Sequence, residues 1–212
     1  MKQWLMILVA MMFLKAEAGA QQRVVAECTV TYAISVPEDN TIDKDLVESL
    51  KATTKTVYIK ANDSRSDLMS PSFKQTLLYN KVNGTAVILR EIGANKLMTK
   101  MDNARWISEN KRFEGITVSA NGETKTILGY ECKKAVIQLK DGNSYVLFYA
   151  PNIIPSVKEF EYQFKDIPGF VLEYETQDPE GKKIKYTATK INFSPVQASR
   201  FDVPTSGYRL LN

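Results

Sequence analysis

The sequence predicts a mainly β fold with a little helix (α+β), in which short antiparallel strands follow one another through tight turns. Three observations point there. Run after run alternates apolar and polar residues with a period of two, the pattern of half-buried strands. The breaks between runs carry Asn-Asp, Asn-Gly, Ser-Pro and Asp-Gly pairs, which tolerate positive φ or stop a strand. Only one stretch, 42–52, has convincing helical spacing.

The first run, 28–36, places Cys28, Val30, Tyr32, Ile34 and Val36 on one face and Thr29, Thr31, Ala33 and Ser35 on the other. In the helix that follows, Leu46, Val47 and Leu50 share one face, and Thr41 or Asp43 stands where a cap is needed. Runs 55–61, 65–69, 75–79, 85–90 and 96–101 read as strands separated by Asn62-Asp63, Ser70-Pro71, Asn83-Gly84 and Gly93. A meander is the simplest path through them. Residues 102–115 interrupt the pattern, and Trp106, Ile107 and Phe113 among charges suit a short helix or a flap. Strands are then expected at 116–120 and 124–139, flanking Asn121-Gly122, and at 145–150 after Asp141-Gly142. In the last of these Tyr145, Leu147 and Tyr149 face one way and Val146 and Phe148 the other, so both faces should be covered. A loop with Pro151 and Pro155 leads to strand 169–176, the turn Asp178-Pro179-Glu180-Gly181, and strand 182–193.

Residues 1–20 differ from everything after them. Lys2 precedes an almost unbroken apolar run from Leu5 to Leu14, and the small residues Ala18-Gly19-Ala20 follow. That is the layout of a secretory signal, too short in its apolar part for the roughly 20 residues that cross a bilayer. The expectation is export to the periplasm or beyond, leaving 21–212 as one domain that does not span a membrane. Its charges are interspersed, and the net charge falls from +4 to +3 once two lysines and one glutamate leave with the signal. No basic stripe emerges, so nucleic acid is not an expected partner.

The absence of histidine excludes Ser-His-Asp and Cys-His catalysis and removes the commonest zinc ligand. Glu173 and Glu175 stand on one strand face about 7 Å apart, and an ordinary solvated face is the favoured reading over acid–base work. No phosphate-binding glycine loop or nucleophile elbow is present. No metal site and no cofactor are expected, and the chain reads as a binding protein and not an enzyme. Cys28 and Cys132 are either bridged, closing a loop worth about 4 to 5 kcal/mol in the chain-entropy model, or two separate buried thiols.

Three stretches carry a resemblance: Leu128-Gly129-Tyr130-Glu131-Cys132-Lys133-Lys134-Ala135, Asp166-Ile167-Pro168-Gly169-Phe170-Val171-Leu172-Glu173-Tyr174, and Phe201-Asp202-Val203-Pro204 with Gly207-Tyr208. Together they resemble the GLPGLI-type secreted bacterial families, which are similar in turn to the LolA-like group (LolA, LolB, RseB). The closing Phe-x-x-Pro-x-x-Gly-Tyr resembles the end of a LolA-like domain. What the resemblance implies is an unclosed, curved antiparallel sheet, a half-barrel around one or a few short helices, with an apolar concave face. The chain departs from the GLPGLI motif itself, reading Asp-Ile-Pro-Gly-Phe-Val.

On such a sheet the aromatic residues of the second half would gather on one surface. Tyr145, Leu147, Tyr149, Phe170, Leu172 and Tyr174 are the candidate ligand face, and plain core packing is the competing reading for each. The stretch 153–164 mixes Ile153, Ile154, Val157 and Phe160 with charges, and is either a mobile cover over that face or a loop packed at its edge. The expected ligand is a hydrophobic small molecule or lipid; the alternative is an envelope protein recognised through sheet edges or loops.

Overall fold

The structure, a computed structural model, describes residues 22–36, 44–177, 181 and 183–211. The expected signal segment 1–20, the capping positions Thr41 and Asp43, and most of the expected turn at 178–181 lie outside them. In chain order the described elements are β1 (Arg23–Val25), β2 (Glu27–Ser35), α1 (Lys44–Lys51), β3 (Thr54–Lys60), β4 (Asp63–Met69), β5 (Phe73–Asn80), β6 (Thr85–Ile92) and β7 (Asn95–Met101). Then come α2 (Asn103–Glu109), β8 (Thr117–Ile127), β9 (Tyr130–Gln138), β10 (Ser144–Ala150), β11 (Ile153–Pro155), β12 (Phe170–Gln177), β13 (Lys183–Asn192) and β14 (Arg209–Leu211).

Twelve of these strands form one sheet in the order β14-β7-β6-β5-β4-β3-β2-β13-β12-β10-β9-β8. Two meanders, β2 to β7 and β8 to β13, meet where β13 pairs with β2. All pairings are antiparallel except that β14 runs parallel to β7. Since β8 and β14 end the order without pairing to each other, the curved sheet stays unclosed, in keeping with the expected LolA-like half-barrel. A separate parallel pair, β1 with β11, ties residues near the start of the described chain to the segment that fills the cup.

The alternation read from the sequence sets the sheet's two faces. On β2, Cys28, Val30, Tyr32 and Ile34 are buried while the residues between them are partly or fully exposed. Cover on both faces of β10 is also observed, for Leu147, Phe148, Tyr149 and Ala150 are all buried. The 102–115 break forms α2, whose start is capped by the Asp102 carboxylate accepting from Arg105 N–H at 2.8 Å. No described helix is long and apolar enough to cross a membrane.

One hairpin differs from the sequence expectation. Strand 124–139 is two strands, and Asn121-Gly122 is not the turn before it but part of β8, at a register shift between Ala120 and Thr124. The turn falls instead at Leu128-Gly129, where both residues have positive φ, 51° and 82°. Two consecutive left-handed residues give the tight connection whose twist matches the flanking strands. Asn-Gly is the stronger local signal, but it is absorbed as a bulge because pairing with β9 continues on both sides of it.

The three stretches that carry the family resemblance all serve this architecture. Leu128-Gly129 makes the hairpin. Gly169 lies so close to β10 that a Cβ there would sit 2.4 Å from the Ala150 carbonyl oxygen, which glycine alone allows. The 201–208 stretch covers the convex face and one edge: Phe201 and Val203 lie with Leu78 and Val87, Arg65 donates to the Arg200 carbonyl at 2.7 Å, and Tyr208 donates to Glu91 at 2.7 Å.

Candidate functional site

The concave face divides into a filled half and an open half. Segment 156–167, running through short 3₁₀ turns at Lys158–Phe160 and Tyr162–Phe164, fills the first. Phe164 packs edge-on to Tyr174 at 4.9 Å between ring centroids and to Phe160 at 5.4 Å, and Phe160 meets Phe170 at 5.7 Å. Beneath them Tyr32 reaches across its small cross-strand neighbour Ala188 on β13 to meet the Tyr174 ring at 5.9 Å, and donates to the Val171 carbonyl at 2.8 Å. Segment 153–164 packs over the interior of the cup with Ile153, Val157, Phe160 and Phe164 buried in the core, which is neither a mobile cover nor a loop at the edge.

The predicted ligand face lies on β10 and β12 in this half of the sheet. Tyr145, Leu147, Tyr149, Phe170, Leu172 and Tyr174 are all buried. The β10–β12 pairing shifts register between Phe148 and Tyr149, and every residue from Phe170 to Tyr174 is buried. Tyr174 lines an open cavity; the other five pack in the core.

The open half lies on β3 to β7, and cross-strand register orders it in rows. Ile59, Ser64, Tyr79, Ala86 and Met101 form the deepest row, buried under Trp106 of α2, which meets the Tyr79 ring at 5.8 Å. The next row is Val57, Ser66, Leu77, Ile88 and Thr99, and its last three residues are only partly buried. Above it run Lys55, Leu68, Gln75, Arg90 and Leu97. Phe73 and Ile92, a directly paired couple, form the rim at 38% and 54% exposure. Segment 156–167 reaches this surface at Lys55, and farther along the rows Leu68, Leu77, Ile88 and Leu97 are left only partly buried between polar neighbours.

Lys55 marks the junction of the two halves. Its residue is 7% exposed, its ammonium pairs with Glu161 of the covering segment, and it donates to the Tyr174 hydroxyl at 2.7 Å. The same ammonium lies 5.3 Å and 5.2 Å from the Tyr174 and Tyr186 ring centroids, and those rings stack at 4.7 Å with a 2° tilt. Burial raises the Tyr186 phenol to about 12 and drives Tyr174 well above its ordinary value, so both stay neutral. A cavity of about 210 Å³ opens here, lined by Lys55, Leu68, Gln75, Glu161, Tyr174 and Tyr186 among others. Sequence reasoning missed Lys55, Glu161 and the Leu68–Leu77–Ile88 strip. One signal was available: on β3 the inward positions read Lys55, Val57, Ile59, with a cation where the pattern calls for an apolar residue.

A second set of contacts pins the cover. Glu114 accepts from the Tyr162 hydroxyl and, at 2.5 Å, from Lys165, and Tyr162 stands edge-on to Trp106 at 5.9 Å. The Lys165 and Tyr162 hydrogen bonds hold the Glu114 carboxyl below the usual carboxylate range. A depressed folded-state pKa contributes stability that is complete above the unfolded value of about 4.3 and is lost as pH falls through the folded value. Trp106 emission, in protein lacking residues 1–20, should therefore change below about pH 4 as the cover loosens. In Glu114→Gln that step should be missing. Identical titrations of the two proteins would mean the contact does not hold the segment.

Other candidates resolve into structure. Glu173 is buried, accepts from Lys125 at 2.7 Å and from Thr187 at 2.9 Å, and acts as a cross-strand tie. Cys28 on β2 and Cys132 on β9 are buried free thiols with three strands between them. Burial pushes them up to about 12 and about 11, which keeps them protonated and inert. Among the described residues no group of three or more Cys, Asp or Glu side chains is placed to hold a metal ion.

No family model matches the chain, and no curated protein matches it. Among solved structures it is similar to PNGF-II, at 16% identity over 87% of this chain and 30% of that one, with a TM-score of 0.49. It is similar to MucB at 10% identity over 85% of this chain and 58% of that one, TM-score 0.42. A chain of the Pseudomonas aeruginosa MucA/MucB complex matches at 9% identity, over 84% and 56% of the two chains, TM-score 0.44. The chain thus spans under a third of PNGF-II and little over half of MucB. At this similarity the likenesses bear on neither ligand nor activity.

Proposed function

We propose that the protein is an exported, non-catalytic binding protein that holds an apolar chain, such as a lipid's, on the open half of its concave face. The observation that carries this is the strip Leu68, Leu77, Ile88 and Leu97, inward-facing by register, half-buried, and rimmed by exposed Phe73 and Ile92. Apolar surface left in contact with water inside a concavity favours an apolar guest. The reading shifts the site from the aromatic second half, which 156–167 occupies, to the first meander. Export rests on the N-terminal pattern of Lys2 and the apolar run. The test is a titration of the purified protein with N-phenyl-1-naphthylamine, a neutral probe that fluoresces in apolar sites, followed by competition with dodecanol. Saturable binding that dodecanol displaces supports the proposal, and a flat titration overturns it.

A further inference from the structure

Lys55 is a buried cation whose counter-charge arrives on the covering segment, and the two partners differ in one respect. The Lys55 side chain is 8% exposed and the Glu161 side chain 26%. The ammonium is fixed from below by the Tyr174 hydroxyl and two stacked rings, none of which belongs to the cover. The carboxylate sits at the solvent side on Glu161, the single extended residue between two 3₁₀ turns, with φ −129° and ψ 123°. Glu161 is thus the member free to leave. A buried ammonium left unpaired is costly, so whatever displaces Glu161 must bring an anion.

The segment also shows what that anion would be attached to. On the same segment as the carboxylate that meets Lys55, Phe160 and Phe164 pack on each other and on Phe170 and Tyr174, so the protein's own occupant combines an acid head with hydrocarbon. We propose that the site takes a single-chain amphiphile with a carboxylate head, that the head replaces Glu161 on Lys55, and that the tail runs outward over Leu68, Leu77 and Ile88. This rests on the reading of the strip as an apolar-chain site and adds the head group. The cavity at Lys55, about 210 Å³, falls below the roughly 300–1,000 Å³ that enclose a whole drug-sized ligand. It has room for the head and the first carbons, and the remaining chain lies along the open strip. Gln75, which accepts from Arg90 at 2.9 Å, lines the same cavity and offers its amide to the head.

Competition against bound N-phenyl-1-naphthylamine by dodecanoate and by dodecanol separates head from tail. Dodecanol should compete equally with wild type, Glu161→Gln and the double variant Lys55→Gln/Glu161→Gln. In Glu161→Gln, where the intrachain carboxylate no longer contends for Lys55, dodecanoate should compete about tenfold better than in wild type, a gain of the size of one charge-assisted hydrogen bond. The double variant should lose that gain. It carries neither charge and leaves no buried ion unpaired, so its comparison with wild type stands even if the single variant fails to fold: dodecanoate should bind it about fivefold more weakly than wild type. Dodecanoate following dodecanol in all three proteins overturns the head-group assignment and leaves the apolar strip standing. Failure of both competitors overturns the strip and this inference together.

Discussion

Replacing Phe164 by alanine should destabilise the protein by about 3–5 kcal/mol, the cost of removing a fully buried aromatic side chain whose site cannot collapse. Phe164 is 2% exposed and touches both Phe160 of its own segment and Tyr174 of the sheet, so its loss leaves a void between those two rings. For a domain of this size that corresponds to a fall in Tm of roughly 6–20 °C. Ile107, 41% exposed on α2, serves as the control: Ile107→Ala should change stability by no more than about 0.5 kcal/mol. Thermal melts of the two variants decide the matter, and a Phe164→Ala loss below about 1 kcal/mol would show that the covering segment is not part of the cooperative core.

The second large effect concerns binding. Ile88→Glu places a carboxylate in the middle of the open strip, opposite Leu77 on β5 and Thr99 on β7. Probe affinity should fall at least about tenfold, because an apolar chain would have to desolvate the charge. Stability should change by about 1 kcal/mol or less, since Ile88 is only partly buried and the new carboxylate still reaches water. Unchanged probe binding in a folded Ile88→Glu protein would remove the strip from consideration. Together the two substitutions separate the halves of the cup, one governing stability and the other occupancy.

Much of the sheet was legible because its signals are local. The alternation in 28–36, the turns at Asn62, Asn83-Gly84, Gly93 and Asp141-Gly142, and the helix expected over 42–52 and described over 44–51 stand where the residues place them. The hairpin at Leu128-Gly129 was not legible. Leucine seldom adopts positive φ, and only the register with β9 reveals that pairing runs through Asn121-Gly122 and turns later. The candidate site divided in the same way. The aromatic density of 145–174 is plain in the sequence, yet those residues are buried in the core, whereas the partly buried strip is built from ordinary strand leucines and isoleucines that no local pattern distinguishes.

By itself the sequence determined that the chain is a meander of half-buried strands, and the absence of histidine removed the commonest catalytic machinery. Only the tertiary structure decided which half of the cup is filled and that Lys55 is an interior cation. Alternation assigns each side chain to one face of its own strand, a property of neighbours two positions apart. What covers that face is fixed by partners distant in the chain, as with Lys55 and Glu161, 106 positions apart, and no local period encodes their meeting.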